Sequence, residues 1–198
     1  MALKLEECRR VFLDSTIIAD LLNIPNIGRY SKKVQDRINT VKCLVESLSG
    51  NKSMSGERTF IISTISIAEV FQTSDKNKDQ VYDAIQMILN TNNLEIISFN
   101  RSVSITHNSV FKEIISDKEI QRLKSETGYK GSEHVNVKEL IRKDYLIIAT
   151  AINQKVDILF TCDNNFNLIS RKLGLNSFLA EKDNFVWNKG EDKIYGLS

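Results

Sequence analysis

Proline is almost absent from this chain of 198 residues: Pro25 stands alone, and glycine numbers eight. Collagen-like and Pro/Gly-rich low-complexity classes are thereby excluded. Histidine is nearly as scarce, with only His107 and His134. Catalytic schemes that use imidazole as acid, base or nucleophile partner lose their usual agent. Cysteine is confined to Cys8, Cys43 and Cys162. The number is odd and no pair is spaced as CxxC, so neither a disulfide framework nor a zinc knuckle is suggested. Reduced thiols in a cytoplasmic protein are the expectation. An excess of charge is also missing, with 27 Lys plus Arg against 25 Asp plus Glu. Bulk charge would not hold such a protein on nucleic acid, though a local basic strip over an acidic centre would cancel in the sum. No apolar run approaches the roughly 20 residues of a membrane span. The opening MALKLEECRRVFLD lacks the apolar core of a secretory signal. A soluble protein with no membrane association is expected.

What remains is ordinary globular composition, 41% hydrophobic and 26% charged, which argues against wholesale disorder. The length suggests one domain with a real core. Val11-Phe12-Leu13 reads as a buried strand ending at Asp14, with a short helix over Ser15 to Leu22 behind it. Pro25 and Gly28 break that pattern. Apolar residues at spacings of three and four predict a helix from Ser31 to Leu48, followed by a polar loop to Arg58. Thr59 to Ile62 reads as a strand, and Thr64 or Ser66 is expected to cap the helix that carries Ile67, Val70 and Phe71. A helix over about 80–89, a strand over Leu94 to Phe99 and a helix over Ser102 to Ile115 follow. Residues 116–136 read as an insertion. A strong helix spans Val137 to Gln154, a strand covers Ile158 to Phe160, and a helix runs from Asn164 to Leu173 with Gly174 just past its end. Phe185-Val186-Trp187 reads as a last strand, and 188–198 as a polar tail. Strands alternating with helices predict a three-layer α/β/α domain over 9–187 with a mainly parallel sheet.

Ligands of open α/β sheets bind beyond the carboxyl ends of the strands. Asp14 directly follows the first strand and Asp163 follows the fourth, so both belong at that end. Asp144 shares a helix face with Leu140, Ile147, Ile148 and Ala151. A carboxylate on an apolar face is costly unless paired or metal-bound. Lys143 and Arg142, one and two residues away, point elsewhere. Glu69 also lies on a helix that follows a strand. Four acids at such positions suggest one negative pocket whose members raise each other's pKa. Oxygen ligands without Cys or His point to a hard ion, Mg²⁺ or Mn²⁺, and one use of that chemistry is phosphodiester hydrolysis.

The blocks Val-Phe-Leu-Asp14-Ser-Thr, Ser-Ile-Ala-Glu69-Val-Phe, Asp144-Tyr-Leu-Ile-Ile-Ala and Thr161-Cys-Asp163-Asn-Asn-Phe166 resemble, in order, the four blocks of PIN domains. These are metal-dependent ribonucleases that include the toxins of the VapBC toxin–antitoxin type. The resemblance implies metal-binding and catalytic roles for Asp14, Glu69, Asp144 and Asp163, cleavage of RNA, and a possible antitoxin partner. A tRNA or rRNA loop as target, and a homodimer, rest on analogy. Two positions depart from the pattern: Thr16 stands where an amide is common, and Asn165 where a second acid is common. Those departures motivate an alternative, a catalytically inactive PIN-like module that binds RNA or a protein.

Ser15, Thr161 and Asn165 are supporting candidates beside the acids. The cluster Arg29, Tyr30, Lys32, Lys33 and Arg37 offers cations and an aromatic ring to RNA, or simply a solvated helix face. A haloacid-dehalogenase-type phosphatase would start from Asp14 but needs a second Asp where Thr16 stands.

Overall fold

A computed structural model describes residues 7–50, 58–73, 93–112, 137–181, 185–188 and 191–194, with single helical positions at 79, 81, 83, 85 and 125. The expected insertion at 116–136, the loop at 51–57 and most of the expected helix at 80–89 lie outside these residues.

Within them, the short apolar runs of the sequence become a five-stranded parallel sheet. β1 (Arg10–Leu13) is the middle strand, and the order is β3–β2–β1–β4–β5. β2 is Thr59–Ser63, β3 Leu94–Ile97, β4 Ile158–Thr161 and β5 Ser177–Leu179. The register pairs Phe12 with Ile61 on one side and with Leu159 on the other. Successive side chains of a strand face opposite ways, and the two cores follow that alternation. Val11, Leu13, Phe60, Ile62, Ile158 and Phe160 join one core; Phe12, Ile61 and Leu159 join the other. Strands buried on both faces need continuous apolar runs, which is why the sequence shows no polar alternation in them.

The first core is closed by α1 (Ser15–Leu22), α2 (Lys32–Gly50) and α3 (Thr64–Thr73). A 3-10 turn over Ile24–Arg29, with Pro25 in its first turn, joins α1 to α2. The second core is closed by α5 (Val137–Asn153) and α6 (Asn164–Lys172), with α4 (Arg101–Lys112) packed on α5 through Val110. Burying each large side chain of this kind contributes about 1.5–3 kcal/mol. α6 ends at Gly174, whose φ of +83° lets the Leu175 N–H reach the Ser170 carbonyl. The result is the α/β architecture expected, with helices on both faces of the sheet.

Three local expectations are corrected. α3 is capped by Ser63, whose hydroxyl accepts from the Ser66 N–H at 2.9 Å, one residue before Thr64 and three before Ser66. β5 is a fifth strand of the main sheet; three residues are too short to display periodicity. Phe185–Asn188 is a strand (β6), but it pairs antiparallel with β7 (Glu191–Ile194), inside the segment expected to be a polar tail. No described helix is long and apolar enough to cross a membrane.

Candidate functional site

From β1 the chain moves through α1 and α2 to β2 on one side, whereas from β4 it moves through α6 to β5 on the other. The carboxyl ends of β1 and β4 therefore flank the point where the strand order reverses, the usual ligand position in such sheets. Asp14 leaves β1 there and its N–H bonds the Phe160 carbonyl of β4 at 3.1 Å. It is the N-cap of α1 and is 2% exposed.

Two threonines hold this carboxylate. Thr16 Oγ1 and Thr161 Oγ1 each donate to Asp14 Oδ2 at 2.8 Å. Each also accepts a backbone N–H from the turn after β4: Cys162 gives to Thr16 at 2.8 Å, and Asp163 gives to Thr161 at 3.0 Å. Burial pushes the Asp14 carboxyl above the ordinary carboxylate range, and the two hydroxyls pull it part of the way back. At the position where an amide was expected, Thr16 supplies a hydroxyl that ties Asp14 to β4.

Asp163 caps α6, with Oδ1 accepting from the N–H of Asn165 at 2.7 Å and of Phe166 at 3.1 Å. Its Oδ2 has no hydrogen-bond partner among the described residues. Asn165 is half-buried and contributes that backbone donor.

Glu69 projects from the middle of α3. Burial raises its carboxyl first of all; the Ser15 hydroxyl bonds it and lowers it; the charges of Asp14 and Asp163 raise it and that of Lys143 lowers it. The Ser15 hydroxyl also lies 3.3 Å from Asp14 Oδ1, so it reaches both carboxylates. Asp14, Glu69 and Asp163 thus form one coupled acidic group. A cavity of about 310 Å³ opens beside them, lined by Ser15, Thr16, Ala19, Glu69, Val70, Gln72 and Lys143. Asp144 is half-buried on α5, next to Lys143, and is not among the described lining residues.

The donors are all hard oxygens, the set that suits Mg²⁺ or Mn²⁺. Among the described residues, no three Asp, Glu, His or Cys side chains stand close enough together to hold one ion. A Mg²⁺ ion needs no such cage, since it keeps several waters and takes one or two carboxylates. The coupled acids fit that mode of binding.

The basic cluster is divided. Arg29, Tyr30, Lys32 and Lys33 are exposed, and Lys32 pairs with Asp36 at 2.8 Å. Arg37 turns instead to Asp20, which its Nε and an Nη grip at 2.6 and 2.7 Å. Asp20 is 3% exposed and also accepts from the Cys162 thiol at 3.6 Å. The sequence reading passed over Asp20, Lys143 and the contact of Thr16 with Asp14. For Asp20 a signal existed: it lies among Ile17, Ile18, Leu21 and Leu22, the same apolar company that singled out Asp144.

Protein-family models and curated proteins provide no match to the chain. A crystal structure of VapBC2 from Rickettsia felis, bound to a DNA fragment from their promoter, is similar over 86% of this chain and 98% of that one. The identity is 20% and the TM-score 0.48, a likeness that assigns no activity.

Proposed function

We propose that the cavity beside Asp14 is the active site of a divalent-metal-dependent endoribonuclease of the PIN type, acting as the toxin of a toxin–antitoxin pair in the cytoplasm. The observation that carries this reading is the placement of Asp14 and Asp163 at the strand-order reversal, joined through Thr161, with Glu69 on the wall of the adjoining cavity. The motif resemblance around those same residues and around Asp144 supports it. RNA is the proposed substrate, tRNA or rRNA its proposed class, an antitoxin the proposed protein partner and a homodimer the proposed assembly.

Asp14, Glu69 and Asp163, with Asp144 as a further candidate, are the residues proposed to hold Mg²⁺ or Mn²⁺. When bound, the ion would polarise a phosphodiester and lower the pKa of a bound water. The chain's own residues have separable tasks. Thr16 and Thr161 fix the orientation of the Asp14 carboxylate and stabilise its charged form. Ser15 spans Asp14 and Glu69 and keeps their repulsion in one geometry. Glu69, raised by burial and by the neighbouring carboxylates, presents its carboxyl to the cavity. Exposed Arg29, Tyr30, Lys32 and Lys33 are proposed as outlying RNA contacts.

One finding favours a second reading, an inactive PIN-like module that binds RNA or a protein: among the described residues, no three acids converge within reach of one ion. Calorimetric titration with Mn²⁺ separates the two. The nuclease takes up metal, and Asp14→Asn weakens uptake at least tenfold. A folded wild type that binds RNA and takes up no metal belongs to the second reading.

A further inference from the structure

Lys143 has no part in the four-block resemblance, and its place one residue before Asp144 suggests only that it turns away from that acid. The structure puts it on the cavity wall. It stands on α5, and it is the one cation among the described lining residues. Its charge acts on Glu69, lowering that carboxyl. Yet among the described residues Lys143 makes neither an ion pair nor a hydrogen bond. The residue is half-buried. An ammonium held part-way out of water usually recovers the lost hydration through a partner. Here its three N–H donors line the cavity without a hydrogen bond to any described residue.

The rest of the cavity says what would receive them. Its volume of about 310 Å³ is at the small end of ligand sites. Its wall carries Lys143 and the Gln72 amide, which can donate to an anion, while the Ser15 and Thr16 hydroxyl protons are given to the carboxylates. Glu69 and the acids behind it repel a naked anion, so an anion enters with its charge directed at the lysine. Lysine binds phosphate as a point charge on a flexible stem, suited to following a group whose charge shifts during reaction.

We infer that Lys143 is a catalytic residue of this cavity, its ammonium contacting a non-bridging oxygen of the scissile phosphate. This rests on the nuclease reading of the site. In the cleavage step, water adds to phosphorus, the P–O bond to one ribose oxygen breaks, water's proton passes to solvent and the departing oxygen takes one from solvent. Lys143 loses no proton; it balances the negative charge that grows on the phosphoryl oxygens.

The test is cleavage of a short single-stranded RNA by the full chain with Mn²⁺, comparing wild type, Lys143→Met and Lys143→Arg at several KCl concentrations. Thermal melting of each variant checks folding. The expected result is a fall of about 10²-fold in kcat for Lys143→Met with most of it restored by Lys143→Arg. The salt slope of log kcat/KM should also flatten by about 0.7, the value of one lost phosphate contact on a single strand. A lysine that merely balanced the acids would change the pH profile and leave that slope alone. If wild type cleaves and Lys143→Met matches it in rate and slope, the lysine proposal is overturned and the nuclease stands. If wild type does not cleave, the nuclease reading falls, and the same RNA's binding, followed by anisotropy, decides the contact. Weaker binding with a flatter slope in Lys143→Met supports it, and equal binding overturns it.

Discussion

Thr161 donates its hydroxyl proton to Asp14 Oδ2 at 2.8 Å while accepting the Asp163 N–H at 3.0 Å. One side chain at the end of β4 therefore positions the acid after β1 and the backbone of the acid after its own strand. Thr161→Val keeps the shape and removes both bonds. A hydrogen bond to a charged group contributes about 1.5–3 kcal/mol. Thermal melting should show a loss of that order, and any Mn²⁺ affinity measured by calorimetry should fall with it. Thr161→Ser should recover most of both.

Asp14 provides a pH test in metal-free buffer. Its carboxyl is raised in the folded chain, so between the ordinary carboxylate range and its own raised value the folded state binds more protons than the unfolded. Stability then falls as pH rises through that window, and the cost of the buried charge is complete above it. Asp14→Asn carries no such cost. With EDTA present, the variant should melt about 2–4 °C above wild type near pH 7.5, a shift on the order of one kcal/mol for a chain of this size. Near pH 4 the difference should shrink toward zero. A constant difference across pH would show that the charge of Asp14 is not the cause.

Asp20 and Arg37 provide a test of fold against binding. Arg37→Met leaves Asp20 charged, 3% exposed and without its bidentate partner. The expected cost is about 2–3 kcal/mol, below the usual range for a buried pair because the Arg37 side chain is 42% exposed. Chemical denaturation measures it. Asp20→Leu combined with Arg37→Met should recover most of the loss. Lys33→Met, at an exposed position, should leave stability within about 0.5 kcal/mol of wild type.

The three thiols should separate by reactivity. Cys43 is exposed; Cys8 is buried and raised to about 11, and Cys162 is raised further by burial and by Asp20. Only thiolate reacts. At pH 8 a disulfide reagent should therefore titrate one thiol quickly in native protein and three in urea. Fast reaction of Cys162 would contradict its contact with Asp20.

Much of this was legible beforehand. Val11 to Leu13 and Ile158 to Phe160 are apolar runs with one fate in an α/β chain, and each is followed by its acid. The spacing of Ile147, Ile148 and Ala151 marked the buried face of α5. Contacts between segments distant in sequence were not legible. Nothing in Ser177-Phe178-Leu179 announces a strand that exists because β4 offers it an edge. The grip of Arg37 on Asp20, seventeen residues apart, depends on how α1 and α2 cross. For the same reason Arg37 read as one of a basic cluster, and Lys143 as a bystander to Asp144.

The most direct measurement is cleavage of end-labelled total cellular RNA by the purified chain, in lanes with Mg²⁺, Mn²⁺ or EDTA, beside Asp14→Asn and Asp144→Asn. Discrete fragments that require metal and vanish in Asp14→Asn, a variant that stays folded, are the predicted result. Loss of the same fragments in Asp144→Asn would bring the fourth acid into the site. Intact RNA in every lane with folded wild type, or fragments that persist in EDTA, would contradict the nuclease.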